Sequence, residues 1–127
     1  MHQEGHTASV LVVEDTIANL RLLSELLGAQ GYEVRAVTNG RQAIQAVERE
    51  PPDLILLDIN MPVMNGLEFL QRVQKEPAYQ AIPVIIISTE GKEEDTIRGL
   101  KMGAKGYVKK PFQASELHGL IEKISAA

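Results

Sequence analysis

Three runs of four consecutive apolar residues constrain the fold of this chain more than any other feature. They cover residues 10–13, 54–57 and 84–87, and polar residues follow each of them directly. Such short apolar runs are typical of strands that are buried on both faces, as in a parallel sheet covered by helices. Segments with helical periodicity separate the runs, so the sequence predicts an α/β domain built on a parallel sheet.

Five strands and five helices alternate in this prediction. The strands are expected at about 9–15, 33–37, 54–58, 84–87 and 107–108. The helices are expected at about 16–29, 41–50, 67–75 and 93–102, with a last one around 117–124. In the first helix, Ile17, Leu20, Leu23 and Leu27 form one apolar stripe, and Gly31 is placed to end that helix as its C′ residue.

The expected sheet is doubly wound, with right-handed crossovers and the strand order 2-1-3-4-5 of a flavodoxin-like three-layer sandwich. The second strand, residues 33–37, is more polar than the others and suits an edge. The chain of 127 residues fits one domain, which we expect to cover residues 9–127 after a flexible tail over residues 1–8.

Polar side chains gather at one edge of this sheet. Glu14 and Asp15 follow the first strand, Asp58 ends the third, Ser88 follows the fourth and Lys110 follows the fifth. Ligands of open parallel sheets bind outside the carboxyl ends of the strands, where the strand order reverses. That point lies between the first and third strands, so the sequence predicts a functional site there.

The side chains at this edge suit phosphoryl chemistry. Three crowded carboxylates repel one another, and a divalent cation relieves the repulsion. Oxygen ligands favour Mg²⁺, for which Mn²⁺ can substitute. An aspartate can act as a covalent nucleophile and form an aspartyl phosphate, whose oxygens a metal ion, a lysine and a hydroxyl would stabilise.

The chain resembles the response-regulator receiver family of two-component systems, in particular its single-domain, chemotaxis-type members. The resemblance rests on four groups of residues: Glu14-Asp15, the segment 58–66 (DINMPVMNG), Ser88, and the segment 103–112 (GAKGYVKKPF). It implies that Asp58 is the phosphoacceptor. It also implies that Glu14, Asp15, Asp58 and the backbone carbonyl of Asn60 hold Mg²⁺.

The resemblance assigns further roles by position. Ser88 would bond one phosphoryl oxygen and Lys110 another, and Ser88 and Tyr107 would form the conformational switch. A cis peptide bond is implied between Lys110 and Pro111, which X-Pro chemistry permits. Glu14 and Ser88 stand where the family often has aspartate and threonine, and both replacements keep the chemistry.

The residues beside the acceptor bear on the lifetime of the phosphoryl group. Asn60 and Glu90 lie two residues after Asp58 and Ser88, where an amide and a carboxylate can orient an attacking water molecule. Similarity to chemotaxis-type receivers therefore implies fast self-dephosphorylation. Thr89 occupies a position where the family often has alanine or glycine, and its bulk is expected to crowd this approach.

The implied function is a phosphorylation-activated signalling switch that catalyses only its own phosphotransfer and dephosphorylation. Its partners would be a sensor histidine kinase or phosphotransfer protein, and a downstream protein bound by the face of the fourth helix, fifth strand and fifth helix. A net charge of −4 argues against a broad nucleic-acid-binding face, and no apolar run reaches membrane-spanning length. The absence of cysteine fits the cytoplasm, and we expect a monomer or weak dimer.

Other classes fit less well. A haloacid-dehalogenase-type phosphatase needs a second aspartate two residues after the nucleophile, where this chain has Asn60. A flavodoxin needs a glycine- and hydroxyl-rich phosphate loop after the first strand, and residues 15–19 contain no glycine. A start at Met1 favours a stand-alone regulator over a receiver fragment of a multidomain regulator or hybrid kinase.

Overall fold

The computed structural model describes residues 8–58, 66–89, 91–110 and 112–126. Five strands and five helices alternate within these ranges. The strands are β1 (Ser9–Val13), β2 (Glu33–Val37), β3 (Leu54–Asp58), β4 (Val84–Ser88) and β5 (Gly106–Lys109). The helices are α1 (Ile17–Ala29), α2 (Gly40–Arg49), α3 (Gly66–Lys75), α4 (Glu93–Met102) and α5 (Ala114–Ala126).

The strands form one parallel sheet in the order β2-β1-β3-β4-β5. The three apolar strands β1, β3 and β4 occupy its centre and are buried along their whole length, whereas β2 lies at one edge and is partly exposed. The predicted doubly wound, flavodoxin-like fold is therefore confirmed, including its strand order.

Alternate side chains of the central strands pack into two separate hydrophobic cores, one on each face of the sheet. Leu11 and Leu57 point to the face that also buries Phe69 of α3. Val12 and Leu56 point to the opposite face, which buries residues of α1 and α5 such as Leu27 and Leu117. The period of two along a strand explains this division, and the result is the predicted three-layer sandwich.

A glycine with positive φ follows two of the helices, and Gly31 is the one predicted to end the first helix. Gly31 lies two residues after the end of α1 and has a φ of +95°, a conformation that glycine adopts without steric cost. The amide of Tyr32 donates back to the Leu27 carbonyl. Gly103 likewise follows α4 with a φ of +127°.

One residue of the predicted apolar stripe is misplaced. Leu23 and Leu27 are buried, but Ile17 is 67% exposed, so the prediction that it shares their buried face is wrong. Ile17 is the first residue of α1, and at 3.6 residues per turn it lies about 120° around the helix from the buried Leu23. β1 is also shorter than predicted, since it ends at Val13 and leaves Glu14 and Asp15 in the following loop.

None of the helices in the described ranges is long and apolar enough to cross a membrane.

Candidate functional site

The sheet register brings the predicted site residues to one edge. Val13 pairs with Leu57, so Glu14, directly after β1, lies beside Asp58, the last residue of β3. On the far side, Asp58 pairs with Ile87, which Ser88 follows. The amide of Lys110 donates to the Ser88 carbonyl at 2.7 Å and extends the pairing of β4 with β5.

The three predicted carboxylates form a compact cluster. Glu14, Asp15 and Asp58 each offer an oxygen, and these oxygens lie within 4.8 Å of one another. Glu14 and Asp58 are buried, whereas Asp15 is exposed to solvent. Two of the three carboxylates are therefore shielded from solvent, and the third is open to it.

Lys110 lies against this cluster. Its Nζ donates to Oε1 of Glu14 at 3.0 Å, and the two side chains are 24% and 1% exposed. The other oxygen of Glu14, Oε2, accepts a long hydrogen bond of 3.4 Å from the Thr16 amide. A buried carboxylate needs such partners, because its desolvation is costly without a compensating charge.

Ser88 is buried at the end of β4 and contacts α4. Its Oγ lies 2.8 Å from Oγ1 of Thr96 and 3.3 Å from the carbonyl of Thr89. Sequence reasoning did not identify Thr96 as part of this arrangement. A signal for it exists, because Thr96, Gly99 and Leu100 follow the spacing i, i+3, i+4 of one helix face in a segment whose other residues are mostly charged.

The remaining predicted residues fall into two groups. Tyr107 lies on β5, at an edge of the sheet, and is 51% exposed, and Thr89 is exposed directly after Ser88. Asn60, Glu90 and Pro111 lie outside the described residues, so the metal-ligating carbonyl, the water-orienting pair and the cis peptide bond stay predictions from the sequence.

The donor set fits a hard divalent cation. All three clustered donors are carboxylate oxygens, which Mg²⁺ and Mn²⁺ prefer over the nitrogen and sulfur ligands typical of zinc. Mg²⁺ usually binds through one or two protein carboxylates and keeps several water molecules. Such an ion would be held by Glu14, Asp15 and Asp58, next to the Lys110 ammonium group.

Comparison with known proteins agrees with this geometry. The sequence profile of the response regulator receiver domain matches residues 10–122. Protein PilH of Pseudomonas aeruginosa is 33% identical over 94% of this chain and 98% of its own length. The protein named "Probable transcriptional regulator ycf29" of Pyropia yezoensis is 37% identical over 92% of this chain, which spans only 53% of that relative.

A solved structure shows the same fold. The chemotaxis protein CheY4 of Vibrio cholerae superposes with a TM-score of 0.87 at 34% identity, over 94% of this chain and 99% of the other. The matched profile runs from Val10 in β1 through β5 into α5, and this fold brings the acidic cluster and Lys110 to the carboxyl edge of the sheet. The chain therefore belongs to the response regulator receiver family of two-component systems.

Proposed function

We propose that this protein is a signalling switch in which Asp58 accepts a phosphoryl group from a histidine kinase or phosphotransfer protein. The observation that carries the proposal is the cluster of Glu14, Asp15 and Asp58 within 4.8 Å, with Lys110 bonded to it. Family membership supports the proposal, because receiver domains act in phosphorylation-dependent signalling.

The reaction is an in-line displacement at phosphorus. A carboxylate oxygen of Asp58 forms a bond to phosphorus while the P–N bond of the phosphohistidine breaks. The electron pair of that bond stays on the imidazole nitrogen, which takes up a proton, and the product is an acyl phosphate. When bound, Mg²⁺ neutralises part of the negative charge that builds up between the carboxylate and the phosphoryl oxygens.

Lys110 and Ser88 have complementary roles in this proposal. The Lys110 ammonium group, which donates a hydrogen bond to Glu14 in this structure, would donate to one phosphoryl oxygen. The Ser88 hydroxyl would donate to another. Ser88 ends β4, which pairs with β3, so a short side-chain movement brings its hydroxyl toward Asp58. Lys110 follows β5, one strand further away, but its ammonium group already contacts Glu14 of the same carboxylate cluster. Such preorganised donors stabilise the charge that develops in the transition state.

The output face is proposed to be formed by α4, β5 and α5. Ile97 on α4 and Tyr107 on β5 are 53% and 51% exposed, so this face carries large apolar groups that a partner protein can cover. Movement of Ser88 toward the phosphoryl group, together with a turn of Tyr107, would remodel this face and control the binding of a downstream protein.

Mass spectrometry after incubation with a small phosphodonor and Mg²⁺ tests the proposal. The wild type should gain one phosphoryl group, and Asp58→Asn or addition of EDTA should abolish the gain. Asp53→Asn is the matched control, because Asp53 precedes the same strand at the opposite edge of the sheet. Full labelling of Asp58→Asn would refute the assignment of the acceptor.

The finer features of this function are also proposals. We propose that the receiver domain extends from residue 9 to residue 127, that the protein is cytoplasmic, and that it is a monomer or weak dimer. The two relatives differ in length, since the chain spans nearly all of PilH but about half of the ycf29 protein. A pull-down that compares phosphorylated and resting forms would identify the kinase and the target.

A further inference from the structure

A buried pair of hydroxyl groups joins the end of β4 to α4. Ser88 and Thr96 are each 5% exposed, and their hydroxyl oxygens lie 2.8 Å apart. Ser88 is the residue proposed to donate to the phosphoryl group, whereas Thr96 lies in the helix proposed to move. This contact therefore connects the two parts of the switch directly.

The protons of the two hydroxyls restrict how this contact is made. Each hydroxyl carries one proton, and Thr96 Oγ1 also lies 2.9 Å from the Lys92 carbonyl. Thr96 can donate to Ser88, which leaves the Ser88 proton with the longer 3.3 Å contact to the Thr89 carbonyl. Alternatively, Thr96 donates to the Lys92 carbonyl and accepts a hydrogen bond from the Ser88 hydroxyl, and both bonds are then short.

In the second arrangement, the Ser88 hydroxyl uses its proton for the hydrogen bond to Thr96 Oγ1. A phosphoryl oxygen needs that same proton, since a hydroxyl has no other to donate. Donation to the phosphoryl group must then either break the contact between Ser88 and Thr96 or reverse its direction. Both residues are buried, so water cannot readily replace the lost hydrogen bond. Loss of this bond therefore weakens the attachment of α4 to the end of β4.

We propose that Thr96 is a positioning residue that holds the Ser88 hydroxyl in the resting state and transmits its release to α4. This inference rests on the proposed function of Asp58 and Ser88. Thr96 thus competes with the phosphoryl group for the hydrogen bond that the Ser88 hydroxyl donates. The strength of this contact sets how readily the protein adopts its activated form.

Binding of beryllofluoride, a phosphoryl analogue that attaches to carboxylates, tests this proposal in the presence of Mg²⁺. Thr96→Val keeps the shape of the side chain and removes the hydroxyl. The variant should bind the analogue roughly three- to tenfold more tightly, because the net contribution of one hydrogen bond between neutral groups corresponds to that change in affinity. Thr96→Ser keeps the hydroxyl and should restore the wild-type affinity.

A double-mutant cycle separates this role from a purely structural one. In the Ser88→Ala background, Thr96→Val should no longer change the affinity, because its partner is absent. Amide NMR spectra should also show that the response of α4 to the analogue is reduced in Thr96→Val, while the response at Asp58 is retained. The proposal would be overturned if Thr96→Val raised the affinity equally with Ser88 and with Ser88→Ala, or raised it in neither background.

The outcome for the wild type keeps the two proposals apart. If the wild type fails to bind beryllofluoride, or if Asp58→Asn binds it equally well, the proposed function fails. If the wild type binds and Thr96→Val binds with the same affinity, only the role of Thr96 fails.

Discussion

Lys110 Nζ lies 3.0 Å from Oε1 of Glu14, so two residues that the sequence assigns to different ligands are bonded to each other. Glu14 is expected to hold a metal ion, and Lys110 a phosphoryl oxygen. In this structure the ammonium group supplies the positive charge that the buried carboxylate needs. The site is therefore neutralised in part before either ligand arrives, and ligand binding must share or replace this ion pair.

Lys110→Met should destabilise the protein, because it leaves the Glu14 carboxylate buried without its cation. Losing one partner of a fully buried pair costs about 3–5 kcal/mol, and solvent access to Lys110 reduces this to about 1–3 kcal/mol. Urea denaturation without divalent ions measures the loss. Lys109→Met, which removes a solvent-exposed ion pair with Glu93, is the control and should have a smaller effect.

Addition of Mg²⁺ should narrow the stability difference between Lys110→Met and the wild type, because a bound cation supplies the missing positive charge. A difference that is the same with and without Mg²⁺ would contradict a metal site at this cluster.

Asp15→Asn should weaken the binding of Mg²⁺ or Mn²⁺ by at least about tenfold, or about 1.4 kcal/mol. Asp15 is the exposed member of the cluster, so its replacement removes a ligand without opening the core. Stability without metal should stay the same or rise, since one of three repelling charges is lost. Isothermal titration calorimetry measures the affinity, with Glu25→Gln on the exposed side of α1 as the control. Equal affinities in the two variants would exclude Asp15 as a ligand.

Gly99→Ala should destabilise the protein by about 1 kcal/mol. A Cβ at this position would overlap Cδ1 of Ile86, which is fully buried in β4. Overpacking costs about 1–3 kcal/mol, which exceeds the gain of at most about 1 kcal/mol in helix propensity. If relief of this overlap moves α4 away from β4, the Ser88–Thr96 contact should weaken and the affinity for beryllofluoride should rise. Gly119→Ala in α5, where a Cβ meets open space, is the matched control.

Lys109→Met should raise the pKa of Glu93. The hydrogen bond from the Lys109 side chain holds the pKa of this carboxyl below its ordinary value. A lowered pKa in the folded state means that the pair stabilises the fold above the ordinary carboxyl range and loses this effect as the pH falls through the lowered value. An NMR titration of the Glu93 carboxyl measures the change, and Lys101→Met should leave it unaltered. An unchanged titration in Lys109→Met would show that Lys109 is not the cause.

Glu90→Leu should lengthen the half-life of the phosphorylated form several-fold, which corresponds to about 1 kcal/mol in the barrier. The residue lies two positions after Ser88 in the sequence, where a carboxylate can orient the attacking water. Decay of the labelled protein, followed by mass spectrometry, measures the half-life, with Glu94→Leu as the control. Decay at the wild-type rate would refute the role of Glu90 in positioning water.

The sequence alone determined the architecture and the edge at which the acids gather. The runs at 10–13, 54–57 and 84–87 are local patterns, and burial on both faces requires central strands. The rule for the carboxyl ends of parallel strands then places Glu14 and Asp58 side by side without any knowledge of their contacts.

Only the tertiary structure decided which groups are bonded to each other. Glu14 and Lys110 are 96 residues apart, and the pairing of Ser88 with Thr96 depends on how closely α4 packs on β4. An apolar pattern in a helix does not show which of its members are buried, and Ile17 is exposed whereas Leu23 and Leu27 are buried. Side-chain partners depend on distances of a few ångströms between separate elements, and one-dimensional patterns do not encode these distances.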